Sequence, residues 1–140
     1  MITAISWDES LSLKVPEIDN DHKQLIDYYN QLLGACMASV GPSIINKTLV
    51  KLLDYTNEHF AREEALMIKS HYPEIQIHKS EHATLQQAVS NLRERALSDA
   101  SDKNHDISND TLVFLHGWIV DHITSADRAL ARFLLSDEHQ

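Results

Sequence analysis

The sequence predicts an all-α fold, an antiparallel up-down-up-down four-helix bundle with an N-terminal arm. Three observations carry this. The 140 residues include only three Gly and three Pro, too few for an all-β fold full of tight turns. Apolar residues recur at three- and four-residue intervals through four separate stretches, the pattern of one buried helix face. Most of the connections are short, which favours antiparallel neighbours.

Residues 1–15 form the arm, with Trp7, Leu11 and Leu13 available to pack on the bundle. The first helix is expected over about 18–38, with Asp19 as its N-cap. Its apolar stripe runs through Leu25, Ile26, Tyr29, Leu32, Leu33 and Cys36, and His22 shares that stripe. The second helix, about 42–70, opens at Gly41-Pro42, where Pro suits the first turn. Its stripe includes Leu49, Leu52, Leu53, Thr56, His59, Phe60, Glu63 and Met67. Pro73 disfavours helix at the residue before it and starts the third helix, about 73–98. There the stripe is Ile75, His78, His82, Leu85, Val89, Leu92 and Ala96. Residues 98–109 are rich in Ser, Asp and Asn and form the longest connection. The fourth helix, about 109–135, carries Leu112, Leu115, Ile119, His122, Ala126, Leu130 and Phe133, with Asp127 beside them. The whole, 1–140, reads as one domain without internal repeats.

Composition excludes several classes. A formal charge of −9 argues against nucleic acid and anionic membranes as partners. No apolar run approaches the roughly 18 residues of a membrane span. The first residues carry no secretion signal. Cys36 is the sole cysteine, which precludes an intramolecular disulfide and fits a reducing cytoplasm. The stripes are fully used inside one bundle, so a monomer is expected.

Histidines and acids on apolar stripes contradict the bundle's own logic unless something inside binds them. His71, His105 and His139 fall near expected ends or loops, where a solvated role suffices. Seven other residues do not fit that role: His22, His59, Glu63, His78, His82, His122 and Asp127. Residues at i and i+4 share a helix face, so His59/Glu63 and His78/His82 each present two donors inward. His122 and Asp127 are five apart, which is expected to turn Asp127 sideways, as suits a bridging carboxylate. In an antiparallel bundle all four groups fall near one level. Seven donors exceed what one tetrahedral zinc takes from protein and suit two ions sharing two donors. Imidazole with carboxylate at this donor count favours iron. Unpaired buried carboxylates would cost several kcal/mol each, so metal should stabilise the fold.

Four stretches carry a family resemblance: "EIDNDHKQL" around His22, "HFAREEALM" from His59, "YPEIQIHKSEH" through His82 and "WIVDHITSAD" through Asp127. In type, order and spacing they make the chain similar to the hemerythrins, their bacterial branch above all, over nearly its whole length. The resemblance implies a cofactor of two irons with an oxo or hydroxo bridge. His78, His82 and His122 would hold one iron. His22 and His59 would hold the other, which keeps an open position, and Glu63 and Asp127 would bridge the pair. It further implies reversible dioxygen binding at the open iron, for oxygen storage, transport or delivery. Leu25, Phe60, Trp118, Ile119 and Ile123 match positions of the family's oxygen pocket, with Ile119 where a Leu is expected; core packing alone also accounts for each.

Other readings compete. His78 to His82 spells an inverted zinc-protease motif, but that leaves His22, His59, His122 and Asp127 unexplained. A ferritin-like di-iron site would use Glu-x-x-His pairs, and none occurs. Within the resemblance, a sensor of oxygen, nitric oxide or redox state would normally need an output domain. An enzyme turning over peroxide or nitric oxide would need acid–base residues. His116 is one candidate proton donor, although a flank position explains it as well. Cys36 reads as packing, and Glu64, Asp99, Asp102 and Asp110 read as solvated surface.

Overall fold

The computed structural model describes residues 3–38, 41–98 and 109–136, and among them every regular element is helical. The arm carries one 3-10 turn, Glu9–Leu11. Four helices follow: α1 Pro16–Met37, α2 Pro42–Ser70, α3 Ile75–Ser98 and α4 Asn109–His122. A π-helical turn, Ile123–Asp127, joins α4 to α5, Arg128–Leu135, without a break. Antiparallel neighbours α1 and α2 pack together, as do α2 and α3, and α1 also packs on α4. The expected connection at 99–108 lies outside the described residues, as do His105 and His139. Among the described residues no helix is long and apolar enough to cross a membrane.

α1 starts earlier than the sequence pattern suggested. Pro16, whose fixed φ suits a first turn, begins it, and Val15 occupies the N-cap position without a side-chain cap. Asp19 is therefore not the cap. It lies inside the helix and accepts hydrogen bonds from the Leu13 amide (2.8 Å) and the Ser12 hydroxyl (2.7 Å). Those bonds hold the arm through Lys14, whose φ of 65° is left-handed and strained for a residue with a Cβ. Further up, the Ile5 amide donates to Asn30 Oδ1 and Asn30 Nδ2 donates back to the Ile5 carbonyl, both at 2.9 Å.

α2 ends on His71, which is left-handed (φ 56°), and the Tyr72 amide donates to the Met67 carbonyl at 3.0 Å. A turn through Pro73 follows, with the Ile75 amide donating to the Tyr72 carbonyl at 3.2 Å. That turn delays α3 to Ile75, two residues past the expected start at Pro73.

The interior has two apolar clusters. The larger contains Leu25, Leu32, Leu52, Leu53, Phe60, Leu115 and Ile119. The smaller contains Leu13, Ile18, Met67, Tyr72, Leu130 and Ala131. The buried histidines and acids of the four stripes fall between these two sets. His22 lies between Ile18 and Leu25, Glu63 between Phe60 and Met67, and Asp127 between Ile123 and Leu130.

Candidate metal centre

All seven polar stripe residues are buried, none more than 5% exposed. Each helix delivers its share at the level between the two clusters. α1 supplies His22, α2 supplies His59 and Glu63 one turn apart, and α3 supplies His78 and His82 one turn apart. His122 ends α4, and Asp127 ends the π turn.

The Asp127 carboxylate is the hub. Its Oδ2 lies 2.6 Å from His22 Nε2 and 3.2 Å from His59 Nε2. Its Oδ1 lies 2.9 Å from His122 Nε2 and 3.1 Å from His78 Nε2. Glu63 Oε1 sits 3.1 Å from His82 Nε2, 3.4 Å from both His78 and His122, and 3.5 Å from His59. The donor atoms form two sets that share both carboxylates: His78, His82 and His122 in one, His22 and His59 in the other.

Several of these contacts are close without being hydrogen bonds. His78 Nε2, Asp127 Oδ1 and Glu63 Oε2 are buried and have no hydrogen-bond partner. Buried polar atoms are ordinarily paired. His22 and His59 hydrogen-bond Asp127, and His82 and His122 hydrogen-bond Glu63, but the unpaired atoms beside them are what a metal's donors look like. Five imidazoles and two carboxylates are donors that suit borderline cations.

Two residues orient the cage, Asp21, which the sequence reading passed over, and Glu64, which it placed on the solvated surface. The His59 Nδ1–H donates to Asp21 Oδ2 at 2.9 Å, which turns Nε2 inward toward the cage. Asp21 is fixed in turn by the Tyr55 hydroxyl (2.8 Å) and by the Arg62 guanidinium (2.8 Å). On the other side the His82 Nδ1–H donates to Glu64 Oε2 at 3.0 Å. Glu64 is thus a partner of the cage and not the solvated surface acid expected. Each of these acids stands next to a predicted donor, Asp21 before His22 and Glu64 after Glu63. That adjacency was the one signal available.

Electrostatics match the geometry. Burial pushes the His59 imidazole down, but Glu63, with hydrogen bonds to Asp127 and Asp21, outweighs it and holds His59 up at about 10. Burial likewise opposes charge on His78 and His122, and the same two carboxylates raise both to about 9. Burial and the neighbouring Asp127 push Glu63 up; the surrounding imidazoles outweigh both and bring it to about 2. Burial raises Asp21 too, yet its bonds from His59, Arg62 and Tyr55 keep it well below the usual carboxylate range. The cage therefore demands positive charge at its centre.

Of the five residues assigned to an oxygen pocket, all are buried and all belong to the larger apolar cluster: Leu25, Phe60, Trp118, Ile119 and Ile123. Phe60 stacks on His82 with ring centroids 4.0 Å apart, and Trp118 lies 5.8 Å from the His122 ring. His116 packs edge-on against Tyr29 at 5.7 Å. Cys36 is half-buried against the same cluster.

The family model described as the hemerythrin HHE cation binding domain matches residues 13–134. A bacteriohemerythrin of Methylococcus capsulatus is 33% identical over 110 residues, covering 79% of this chain and 80% of that protein. Another, from Stenotrophomonas maltophilia, is 30% identical over 125 residues, covering 89% of this chain and 78% of that one. A crystal structure of wild-type hemerythrin superimposes with a TM-score of 0.85 at 28% identity, covering 96% of this chain and 100% of that chain.

Proposed function

The chain belongs to the hemerythrin family, and from that premise we propose that it is a non-heme di-iron protein that binds dioxygen reversibly, for storage, transport or delivery. The observation that carries the proposal is the inequality of the two donor sets. Both share Glu63 and Asp127, but one adds three histidines and the other two. The His22/His59 set would hold an ion with one histidine fewer than the His78/His82/His122 set and so would leave room for an outside ligand. Two ferrous ions held there would supply the two electrons that dioxygen takes up and gives back.

The residues of the chain set the conditions. Five imidazoles against two carboxylates keep the cage poor in anionic donors, which favours the ferrous state over strongly oxidising chemistry. Asp21 and Glu64 fix the tautomers of His59 and His82, so their inner nitrogens are ready to ligate without rearrangement. Leu25, Phe60, Trp118, Ile119 and Ile123 form an apolar wall that excludes water. None of those five side chains offers an acid or base, which supports binding over turnover of peroxide or nitric oxide.

Metal analysis of the purified chain, followed by mixing the anaerobic ferrous form with dioxygen, tests this. The expected result is two irons per chain and an absorption band that appears with oxygen and disappears under vacuum through repeated cycles. One zinc without iron would reject the proposal. Rapid irreversible passage to a ferric form would replace reversible binding with redox sensing or turnover.

A further inference from the structure

The cage has a seam on the side of α3 and the π turn. Between α3 and the π turn lie two hollows, of about 350 and 260 Å³. They adjoin, because Glu81, Ser125 and Ala126 line both. The first reaches His122 and Trp118, and the second reaches His78. Small side chains on the π turn, Ser125 and Ala126, leave this groove open where a bulky residue would fill it.

The groove has a definite charge. Glu74, Glu81 and Asp121 line it and are exposed, and neither hollow is lined by a Lys or Arg. At its floor stands His78, 2% exposed, with its Nε2 turned into the cage, 3.1 Å from Asp127 Oδ1 and without a hydrogen-bond partner. Anionic walls that lead to an imidazole of the cage recognise a hard or borderline divalent cation that is still partly hydrated. Such a groove concentrates cations and speeds their capture. The carboxylates can replace departing water before the imidazoles do.

We infer that the α3–π groove is the loading route for ferrous ion, with Glu81 and Asp121 as the docking carboxylates that pass the cation to His78 and His122. The inference rests on the di-iron reading of the cage. Its partner is the hydrated divalent ion itself. The step is ligand exchange: water leaves the ion, carboxylate and then imidazole nitrogen take its place, and no electrons move.

The test is the rate at which the metal-free full chain takes up ferrous ion. Protein and ion are mixed anaerobically at low ionic strength, quenched with chelator at intervals, and the bound iron is counted. Glu81→Gln with Asp121→Asn is expected to slow uptake roughly five- to tenfold, and Glu81→Lys more, with the final count unchanged. A control with the same charge change on other faces, Asp27→Asn with Glu94→Gln, should slow it less than about twofold, and added salt should erase the difference. Equal rates in the groove variants and wild type would overturn the route. So would equal slowing in the control, which would assign the effect to net charge. A wild-type final count other than two irons per chain would instead overturn the reading of the cage.

Discussion

His122 and Asp127 stand five residues apart in sequence, yet His122 Nε2 lies 2.9 Å from Asp127 Oδ1. In a regular α-helix the fifth residue along is turned about 140° away. The chain between them, Ile123–Asp127, winds as a π turn, whose i→i+5 repeat brings the fifth residue back round. Asp127 consequently faces the interior, while Ala126, on the stripe that regular periodicity predicts, is only half-buried at the groove. The wider turn lets one carboxylate reach both donor sets.

Asp127→Asn should therefore damage both metal positions at once. The amide keeps the shape but loses the charge, and one of its two atoms becomes a donor that faces imidazole nitrogens. Loss of an outer-shell partner already weakens metal about ten- to a hundredfold, so loss of this inner carboxylate should exceed a hundredfold. Iron titration against a competing chelator reads it. An Asp127→Asn variant that still holds two irons as tightly as the wild type would refute the bridging role.

His59→Ala and His22→Ala should split the centre. Each removes one of only two histidines from its set and leaves His78, His82 and His122 in place. The expected product holds about one iron per chain by metal analysis and shows no oxygen-dependent band. His82→Ala should weaken iron without producing that clean halving, because its set retains two histidines. An intact oxygenated spectrum in the His59→Ala variant would reverse the assignment of the open side.

Two substitutions at Phe60 are expected to separate core packing from water exclusion. Phe60 is fully buried and stacks on His82 at 4.0 Å. Phe60→Ala should cost about 3–5 kcal/mol of stability, read by urea unfolding of the iron-loaded chain. It should also admit water to the cage and shorten the lifetime of the oxygenated form. Phe60→Leu keeps much of the apolar volume without the ring stack and should restore most of the lifetime. Equal lifetimes in all three proteins would remove Phe60 from the water-excluding wall.

The sequence showed the inner donors clearly for a physical reason. A histidine or acid in phase with Leu25, Leu52 or Val89 cannot be solvated, so it needs an internal partner. The helices were legible for the same reason, since an apolar stripe is long and redundant. Asp21 and Glu64 were not legible. Neighbours of a stripe residue point about 100° away from it, where solvated acids are common. Only the fold shows that Asp21 faces Arg62 and Tyr55 across the α1–α2 seam. The π turn was hidden because Ala126 continues the regular repeat from Ile119 to Leu130. Asp19 was misplaced because a carboxylate in a first turn satisfies the composition rule whether it caps the helix or the arm before it.

Asp21→Asn and Glu64→Gln test these hidden partners. Each amide can still accept the imidazole proton, but it can also rotate to present N–H and unfix the tautomer. Metal affinity should fall about ten- to a hundredfold, at the His59 set for Asp21→Asn and at the His82 set for Glu64→Gln. The order in which the two irons are lost to chelator distinguishes the sites. Asp21→Glu should recover part of the affinity. Identical loss curves for wild type and both variants would make the two acids mere surface charge.

Protons and cations compete for the same cage, and the competition has a sign. In the metal-free chain His59 is held at about 10, and His78 and His122 at about 9, against an ordinary value of 6.5. A basic group raised by folding contributes stability that is complete below its unfolded value and fades as pH climbs through the folded one. Glu63, lowered from 4.5 to about 2, works in the opposite window: its contribution is present above its unfolded value and is lost as acid approaches the folded one. Metal-free protein should therefore be most stable near pH 5–6.5 and lose urea resistance steadily from pH 7 to 10. The iron-loaded protein should not, because metal requires the imidazoles unprotonated. Loading at pH 7.5 should expel up to three protons per chain, one each from His59, His78 and His122. Weakly buffered titration with ferrous ion measures them. Proton-neutral loading, together with flat metal-free stability from pH 7 to 10, would mean that these imidazoles are already neutral and that the carboxylates find their positive partner elsewhere.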